Sequence, residues 1–249
     1  MLILLPPSET KRDGGDPAPL DYSALSHPAF TATRRALVRD VARLARDPEE
    51  TMKRLKLGRK LAFEVERNRV LTKAPTMPAL DRYTGVLYEA LDASTLSAGE
   101  RAFADEHVRI HSALFGLLGA GDRIPAYRLS HDSRLDAPSV KASWAGVISK
   151  ELARHRDELI LDLRSEAYVH LGPVPPTVPH AFFLRVVTTG DDGVTRALNH
   201  FNKKGKGELV RAIVQHGTDF RSIDELVAWG AASGHALAVT KPGELQLTV

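Results

Sequence analysis

Three lysines stand close together near the carboxyl end of the chain, separated and followed by glycines. Lys203, Lys204 and Lys206 alternate with Gly205 and Gly207. We expect a flexible basic turn here, between the end of a strand and a helix that starts at Gly207. Unpaired backbone N–H groups at a helix start, together with lysine side chains, bind phosphate well. The alternative is a solvated basic turn without a ligand.

A second group of reactive side chains follows a predicted strand at residues 158–163. Residues just beyond the ends of strands often line clefts. Glu166 could act there as a base and Tyr168 as a proton donor. The alternative is a plain helix start, with Ser165 as its N-cap.

Two arginines extend the set of cations that could hold an anion. The guanidinium of Arg128 has the fork geometry that suits a phosphate or a carboxylate, and Arg211 follows the lysine cluster. The alternative for such an arginine is a structural pair with an acid. We expect Arg128, residues 165–168 and residues 203–207 to converge on one cleft.

The distribution of charge also points to a localised anion site. The net charge is only +3, but residues 31–73 carry an excess of seven cations and residues 196–211 an excess of four. Two basic regions on an otherwise acidic chain suggest a polyanion partner, and DNA is the first candidate. For residues 31–73 we favour the alternative of a solvated basic helix face.

Composition excludes several classes of site. The chain contains no cysteine, which removes disulfides, thiolate catalysis and cysteine-ligated metals. His107 and His111 form no recognised pattern with a nearby acid, so we predict no metal and no cofactor. No run of about 18 apolar residues exists, and residues 1–5 are better explained as a buried strand than as a signal peptide. We therefore expect a cytoplasmic protein with no membrane partner.

The periodicity of apolar residues predicts helices alternating with strands. Strands are predicted at residues 1–5, 158–163, 182–188, 194–201, 236–239 and 245–249, with a hairpin turn at 191–193 and a strand running into a turn at 107–118. Helices are predicted at residues 31–46, 48–55, 58–66, 78–91, 141–154, 207–216 and 223–229, and after a capping box at 97–100. This order predicts a single mixed α/β (α+β) domain over residues 1–249, in which helices flank a mixed sheet with a basic cleft.

Seven stretches, taken in order, resemble the YaaA (DUF328) family of peroxide stress proteins. They are residues 1–11, 81–91, 107–118, 125–135, 143–152, 161–169 and 202–214. The resemblance implies a mixed α/β domain, a cytoplasmic role in tolerating hydrogen peroxide by limiting iron-dependent damage, and DNA binding through a positively charged cleft. Because Lys11 lies in the first of these stretches, the resemblance also places it among the expected anion-binding residues.

The chain departs from the family pattern in three of these stretches. Ala113 stands after Ser112 where the family has glycine, and Trp144 lies in a segment that lacks the family's aspartate. Leu129 is followed by Ser-His-Asp in place of a glutamate-containing run. If the missing acids are functional in relatives, this chain is a specialised paralogue.

Two functions remain open at this point. The first is a DNA-binding protein whose lysines contact phosphates without sequence preference. The second is an enzyme that acts on a nucleotide-like or other anionic small molecule in the same cleft. A long open groove would favour DNA, whereas a pocket of about 300–1,000 Å³ would favour a small ligand.

Overall fold

A computed structural model describes residues 1–136, 138–189, 195–196 and 199–249. A β-sheet runs through these ranges from near the first residue to near the last. The strands in chain order are β1 (Leu2–Leu5), β2 (Met77–Pro78), β3 (Val108–Ser112), β4 (Gly116–Gly119), β5 (Arg123–Ile124), β6 (Ile160–Asp162), β7 (Ala181–Thr189), β8 (Thr195–Arg196), β9 (Ala236–Lys241) and β10 (Glu244–Thr248).

Helices surround this sheet. The α-helices are α1 (Thr31–Leu44), α2 (Pro48–Arg54), α3 (Phe63–Arg69), α4 (Ala79–Arg82), α5 (Val86–Leu91), α6 (Ala98–His107), α7 (Val140–Leu152), α8 (Glu166–Val169), α9 (Asn199–His216) and α10 (Ile223–Ala232). Short 3₁₀ segments lie at Pro28–Phe30, Arg59–Leu61, Ala93–Thr95 and Ala153–His155. Within the described ranges, none of the helices combines the length and the apolar character needed to cross a bilayer.

The main sheet is mixed, as the sequence predicts. Its strand order is β4-β3-β1-β6-β7-β10-β9, with β8 paired to the end of β7, while β2 and β5 form a separate pair. The five strands from β3 to β10 in this order are parallel to one another, and the flanking strands β4 and β9 are antiparallel to them. Every residue of β1 is buried. Because successive side chains point to opposite faces, both faces of the sheet are covered at β1.

Most predicted elements occur close to their predicted positions. The first strand, the helices at α1, α2 and α7, and the β9–β10 hairpin are confirmed. The capping box is also present, since Glu100 N–H donates to Ser97 Oγ at 3.3 Å and Ser97 N–H donates to Glu100 Oε2 at 2.6 Å. The strand-and-turn segment at 107–118 is the β3–β4 hairpin.

The basic turn at residues 203–207 is a wrong prediction. The segment lies inside α9, which begins at Asn199 and not at Gly207. Backbone N–H groups inside a helix donate to the preceding turn, so none is available there for an anion. The return strand predicted at 194–201 is present at Thr195–Arg196, which form β8, and is wrong at residues 199–201, which belong to α9. Residues 194 and 197–198 of that prediction, and the turn predicted at 191–193, lie outside the described residues.

Two other helices differ from their predicted extents. The helix predicted at 78–91 is interrupted between α4 and α5, where Gly85 has a φ of 96°. A side chain rarely adopts this conformation, so glycine permits the change of direction. The helix predicted at 58–66 begins as a 3₁₀ turn and becomes α-helical only at Phe63.

The glycines of the basic segment let α9 pack closely on its neighbours. A methyl group on Gly207 would clash with the carbonyl oxygen of Leu87 in α5 and lie 2.9 Å from Ala90 Cβ. A methyl group on Gly205 would lie 3.0 Å from Val249 and 3.3 Å from Val186. The glycines therefore permit a close approach of α9 to α5 and to the sheet, rather than a flexible turn.

We predict opposite effects for two glycine-to-alanine substitutions within helices. Gly207→Ala should lower the free energy of unfolding by about 1–3 kcal/mol because the added methyl group overpacks the α5–α9 contact. Gly146→Ala in α7 is the matched control, since nothing lies within 4 Å of its added methyl group. The control should gain about 0.5–1 kcal/mol from helix propensity. Urea denaturation measures both, and a stabilised Gly207→Ala variant would contradict the close packing.

Candidate functional site

The topology of the described strands predicts a crevice between β1 and β6. β1 and β6 are parallel neighbours. After β1 the chain continues to β3 on one side of β1, and after β6 it continues to β7 on the opposite side of β6. Where connections leave neighbouring parallel strands in opposite directions, their carboxyl ends open into a crevice that commonly binds ligands.

A cleft of about 860 Å³ lies at this point. Loops that follow β1 and β6 form two of its walls. The cleft is lined by residues 6–10, 84–88, 129–131, 164–168 and 183–185, and by Asn202, Lys203 and Lys206 from α9. Helix, loop and strand segments that are far apart in sequence therefore surround one space.

The cleft contains most of the segments expected to converge. Lys203, Lys206 and residues 165–168 line it directly. Arg128 stands one layer behind, since its Nη2 donates to Glu9 Oε2 at 2.7 Å and Glu9 lines the cleft. This arrangement agrees with the expected convergence, and binding of an anion by these residues stays a prediction.

Lys206 is a buried amine in the wall of the cleft. Its Nζ donates to the carbonyl oxygen of Leu163 at 3.0 Å and lies 5.5 Å from the centre of the Phe183 ring. Burial lowers the pKa of Lys206 to about 8, while the nearby Asp162 carboxylate acts in the opposite direction. An amine with this pKa can exchange a proton near neutral pH.

Lys204 and Arg211 lie on α9 but do not line the cleft. Lys204 is exposed and pairs with Glu208 at 3.3 Å. Arg211 Nη1 donates to the carbonyl oxygens of Leu91 at 2.8 Å and Asp92 at 3.0 Å. Because the last carbonyls of a helix lack partners within it, Arg211 stabilises the end of α5.

Lys11 is buried behind the cleft rather than exposed to it. Its Nζ donates to the carbonyl oxygens of Ser8 at 3.0 Å and Glu9 at 3.2 Å, and lies 4.2 Å from the centre of the Tyr127 ring. Burial lowers the pKa of Lys11 to about 7, although the Glu64 carboxylate raises it. The geometry gives Lys11 a clear structural role, which is to fasten the loop 6–10 that forms one wall.

Glu166 and Tyr168 differ in their exposure. The Glu166 side chain is 72% exposed, with an oxygen 3.7 Å from Arg185. Tyr168 is buried, and the centre of its ring lies 5.5 Å from that of His111 and 5.6 Å from that of His131. Burial raises the pKa of Tyr168, so its hydroxyl keeps its proton at neutral pH and can donate a hydrogen bond.

A buried ionic cluster below the cleft was missed by the sequence analysis. Arg164 Nε and Nη2 donate to the two oxygens of Asp162 at 2.8 and 2.6 Å, and Nη1 lies 3.0 Å from His111 Nδ1. Burial, together with the Arg164 charge, lowers the pKa of His111, so the ring is neutral and accepts this hydrogen bond. The only sequence signal was an acid and an arginine two residues apart at the end of an apolar strand.

Comparison with known proteins now identifies the family. A family model described as "Peroxide stress protein YaaA" matches residues 1–238. The chain belongs to the YaaA family. It is 41% identical to a UPF0246 protein of Corynebacterium efficiens over 254 aligned positions, which cover 100% of this chain and 99% of that protein. Other similar proteins are UPF0246 proteins of Corynebacterium glutamicum (42% identical, covering 94% and 93% of the two chains) and Streptomyces coelicolor (37% identical, covering 91% and 88%).

The segments that resemble the YaaA family are concentrated at the cleft. Five of the seven stretches contribute lining residues, namely 1–11, 81–91, 125–135, 161–169 and 202–214. The other two contain the β3–β4 hairpin and most of α7. Among the residues that the structure describes, no group of three or more His, Cys, Asp or Glu side chains could hold a metal ion.

We predict that Lys11 makes the protein more stable as the pH rises above 7. The pKa of Lys11 is about 7 in the fold against 10.5 for an ordinary lysine. Between these values the unfolded chain binds a proton that the folded chain does not, so the free energy of unfolding increases with pH. The contribution is at most about 1.4 kcal/mol per pH unit.

Urea denaturation at pH 7, 8 and 9 tests this dependence. Lys11→Met should flatten the rise in unfolding free energy, whatever it does to stability at a single pH. Lys60→Met is the control, because Lys60 is exposed and its removal should leave the rise unchanged. Equal slopes for the wild type and Lys11→Met would show that Lys11 is not buried as an amine of low pKa.

Proposed function

We propose that the protein contributes to peroxide tolerance by binding a compact anionic ligand, of about the size of a nucleotide, in the cleft between β1 and β6. The observation that supports this most strongly is the cleft itself. Its volume of about 860 Å³ falls within the range of small-molecule sites, about 300–1,000 Å³. Two lysines line it: Lys203 in its exposed outer part and Lys206 in its buried wall.

The charges in the cleft favour an anion over a cation. Glu9 is paired with Arg128 at 2.7 Å and Glu166 with Arg185 at 3.7 Å. Arg128 therefore offsets Glu9, but Arg185 offsets Glu166 only in part, because its Nε also lies 3.0 Å from Glu244. Lys203 and Lys206 still outnumber Glu166 in the lining of the cleft, so the local charge favours an anion. In a partly buried site, that charge acts through a lower effective dielectric than at an open surface.

The ligand of such a cleft can also be a substrate. Lys206, with its pKa of about 8, would exchange protons near neutral pH, and Tyr168 would donate a hydrogen bond to a ligand oxygen. Glu166 would act as the base in this scheme. If the bound anion is a substrate, the protein is an enzyme that acts on it in this cleft.

A second candidate is DNA binding without sequence preference, by which the protein would help to limit iron-dependent damage. It is favoured by the neighbouring exposed lysines, Lys203 and Lys204, on the outer part of α9. The basic residues 31–73 lend it less support, since Arg54 pairs with Asp136 and Lys56 with Asp132. A duplex would rest on the rim of the cleft and contact the exposed lysines alone.

We predict that ATP and inorganic pyrophosphate bind in the cleft and that the lysines of its wall determine their affinity. Lys206→Met and Lys203→Ala should each weaken binding about tenfold or more, because a hydrogen bond to a charged group contributes about 1.5–3 kcal/mol. Isothermal titration calorimetry measures the change. Lys204→Ala is the matched control on the same helix and should bind normally. If the wild-type protein binds neither ATP nor inorganic pyrophosphate, this function is refuted.

The DNA candidate predicts a different pattern among the same variants. Lys203→Ala and Lys204→Ala should both weaken binding to a duplex, each reducing the slope of log affinity against log salt by about one. Lys206→Met should have no effect, since the buried amine is out of reach of a duplex. Wild-type affinity should fall steeply between about 50 and 200 mM salt. Fluorescence anisotropy measures this, and an affinity independent of salt would exclude phosphate contacts.

A further inference from the structure

Lys206 is held in the cleft wall by a turn of α9 that packs closely on its neighbours. It stands between Gly205 and Gly207 in the interior of α9, where each glycine costs about 1 kcal/mol relative to alanine. Their contacts with α5 and the sheet bring this turn of the helix inward. A side chain that the fold buries in this way is a candidate for chemistry.

We infer that Lys206 is a nucleophilic amine that condenses with the carbonyl carbon of an anionic aldehyde or ketone bound in the cleft. The inference deepens the proposed function and rests on it, since the anionic group of this ligand would occupy the site beside Lys203. It names a class of ligand, small carbonyl compounds that carry a phosphate or a carboxylate.

The partners of the amine support this role. Among the side chains that the structure describes, Lys206 forms no ion pair, and its acceptor is the neutral carbonyl oxygen of Leu163 at 3.0 Å. This acceptor takes one N–H of the amine, so the nitrogen lone pair of the neutral form is not used by that hydrogen bond. Lys204 shows the opposite arrangement, since its ion pair with Glu208 favours the protonated form.

The protonation state of Lys206 agrees with the geometry. Burial lowers its pKa to about 8, so at pH 8 about half of the Lys206 side chains are neutral, against fewer than about one in a hundred ordinary lysines. Desolvation against an apolar wall is a recognised way to activate a lysine that forms a Schiff base. Here the desolvation comes from burial in the cleft wall, and it outweighs the Phe183 ring, whose face lies 5.5 Å from Nζ and favours the charged amine.

The chemical step is balanced without any other reagent. The lone pair of the neutral amine forms a bond to the carbonyl carbon, and the carbonyl oxygen takes up a proton as the nitrogen loses one. The carbinolamine then loses its hydroxyl group together with the proton that remains on nitrogen, which leave as water, and a carbon–nitrogen double bond forms. Amine and carbonyl compound therefore give imine and water, with no change in oxidation state.

Pyridoxal 5′-phosphate, an anionic aldehyde, is a suitable probe. The wild-type protein is incubated with a stoichiometric amount at pH 8, reduced with borohydride, digested and mapped by mass spectrometry. Label on Lys206 should exceed that on Lys204 by at least about tenfold, given the difference in the neutral fraction. Inorganic pyrophosphate should reduce the label on Lys206 by competing for the cleft.

Lys11 is a matched internal control. Its pKa of about 7 makes it at least as neutral as Lys206, but it does not line the cleft. Selective label on Lys206 that pyrophosphate suppresses supports the inference. Label on Lys11, or label spread over exposed lysines, would overturn it. Calorimetric binding of pyrophosphate without label on Lys206 would overturn the inference alone, whereas failure of pyrophosphate to bind would reject the proposed function.

Discussion

The parallel pairing of β1 with β6 is the constraint on which the site depends. It sets their carboxyl ends side by side, and the chain leaves them in opposite directions towards β3 and β7. Connections that diverge in this way leave a crevice between the two strand ends. Arg164 and Asp162 then fill the interior just below it with a hydrogen-bonded pair. Such a pair is costly to break once it is buried, which keeps the end of β6 fixed.

The second constraint is the close approach of α9 to α5 and the sheet. It depends on Gly205 and Gly207, and these are the residues that misled the sequence analysis. Glycine between lysines is typical of turns, but glycine also permits helices to pack at short distance. The contacts of Gly207 with Leu87 and Ala90 show that close packing, not a turn, is its role here. Those contacts join residues more than a hundred positions apart, so local pattern could not reveal them.

Features with a local cause were predictable from sequence. The buried strand β1 follows from its unbroken apolar run, and the start of α6 follows from the reciprocal hydrogen bonds of Ser97 and Glu100. Much of the cleft was also predictable, because residues beyond the end of a strand collect where parallel strands end. The buried state of Lys11 was not, since it depends on the rings of Tyr83 and Tyr127, distant in sequence.

The number of basic residues in a segment is a poor guide to whether that segment binds an anion. Many basic side chains of the region around α1–α3 are paired with acids at the surface, and exposed pairs of this kind contribute little energy and leave little net field. Position separates the remaining lysines better than charge does. Burial lowers the pKa of both Lys11 and Lys206, but Lys11 is enclosed by aromatic rings and the loop 6–10, whereas Lys206 faces a cavity of ligand size. A reactive amine needs a lowered pKa and access to a ligand, and of this pair only Lys206 combines them.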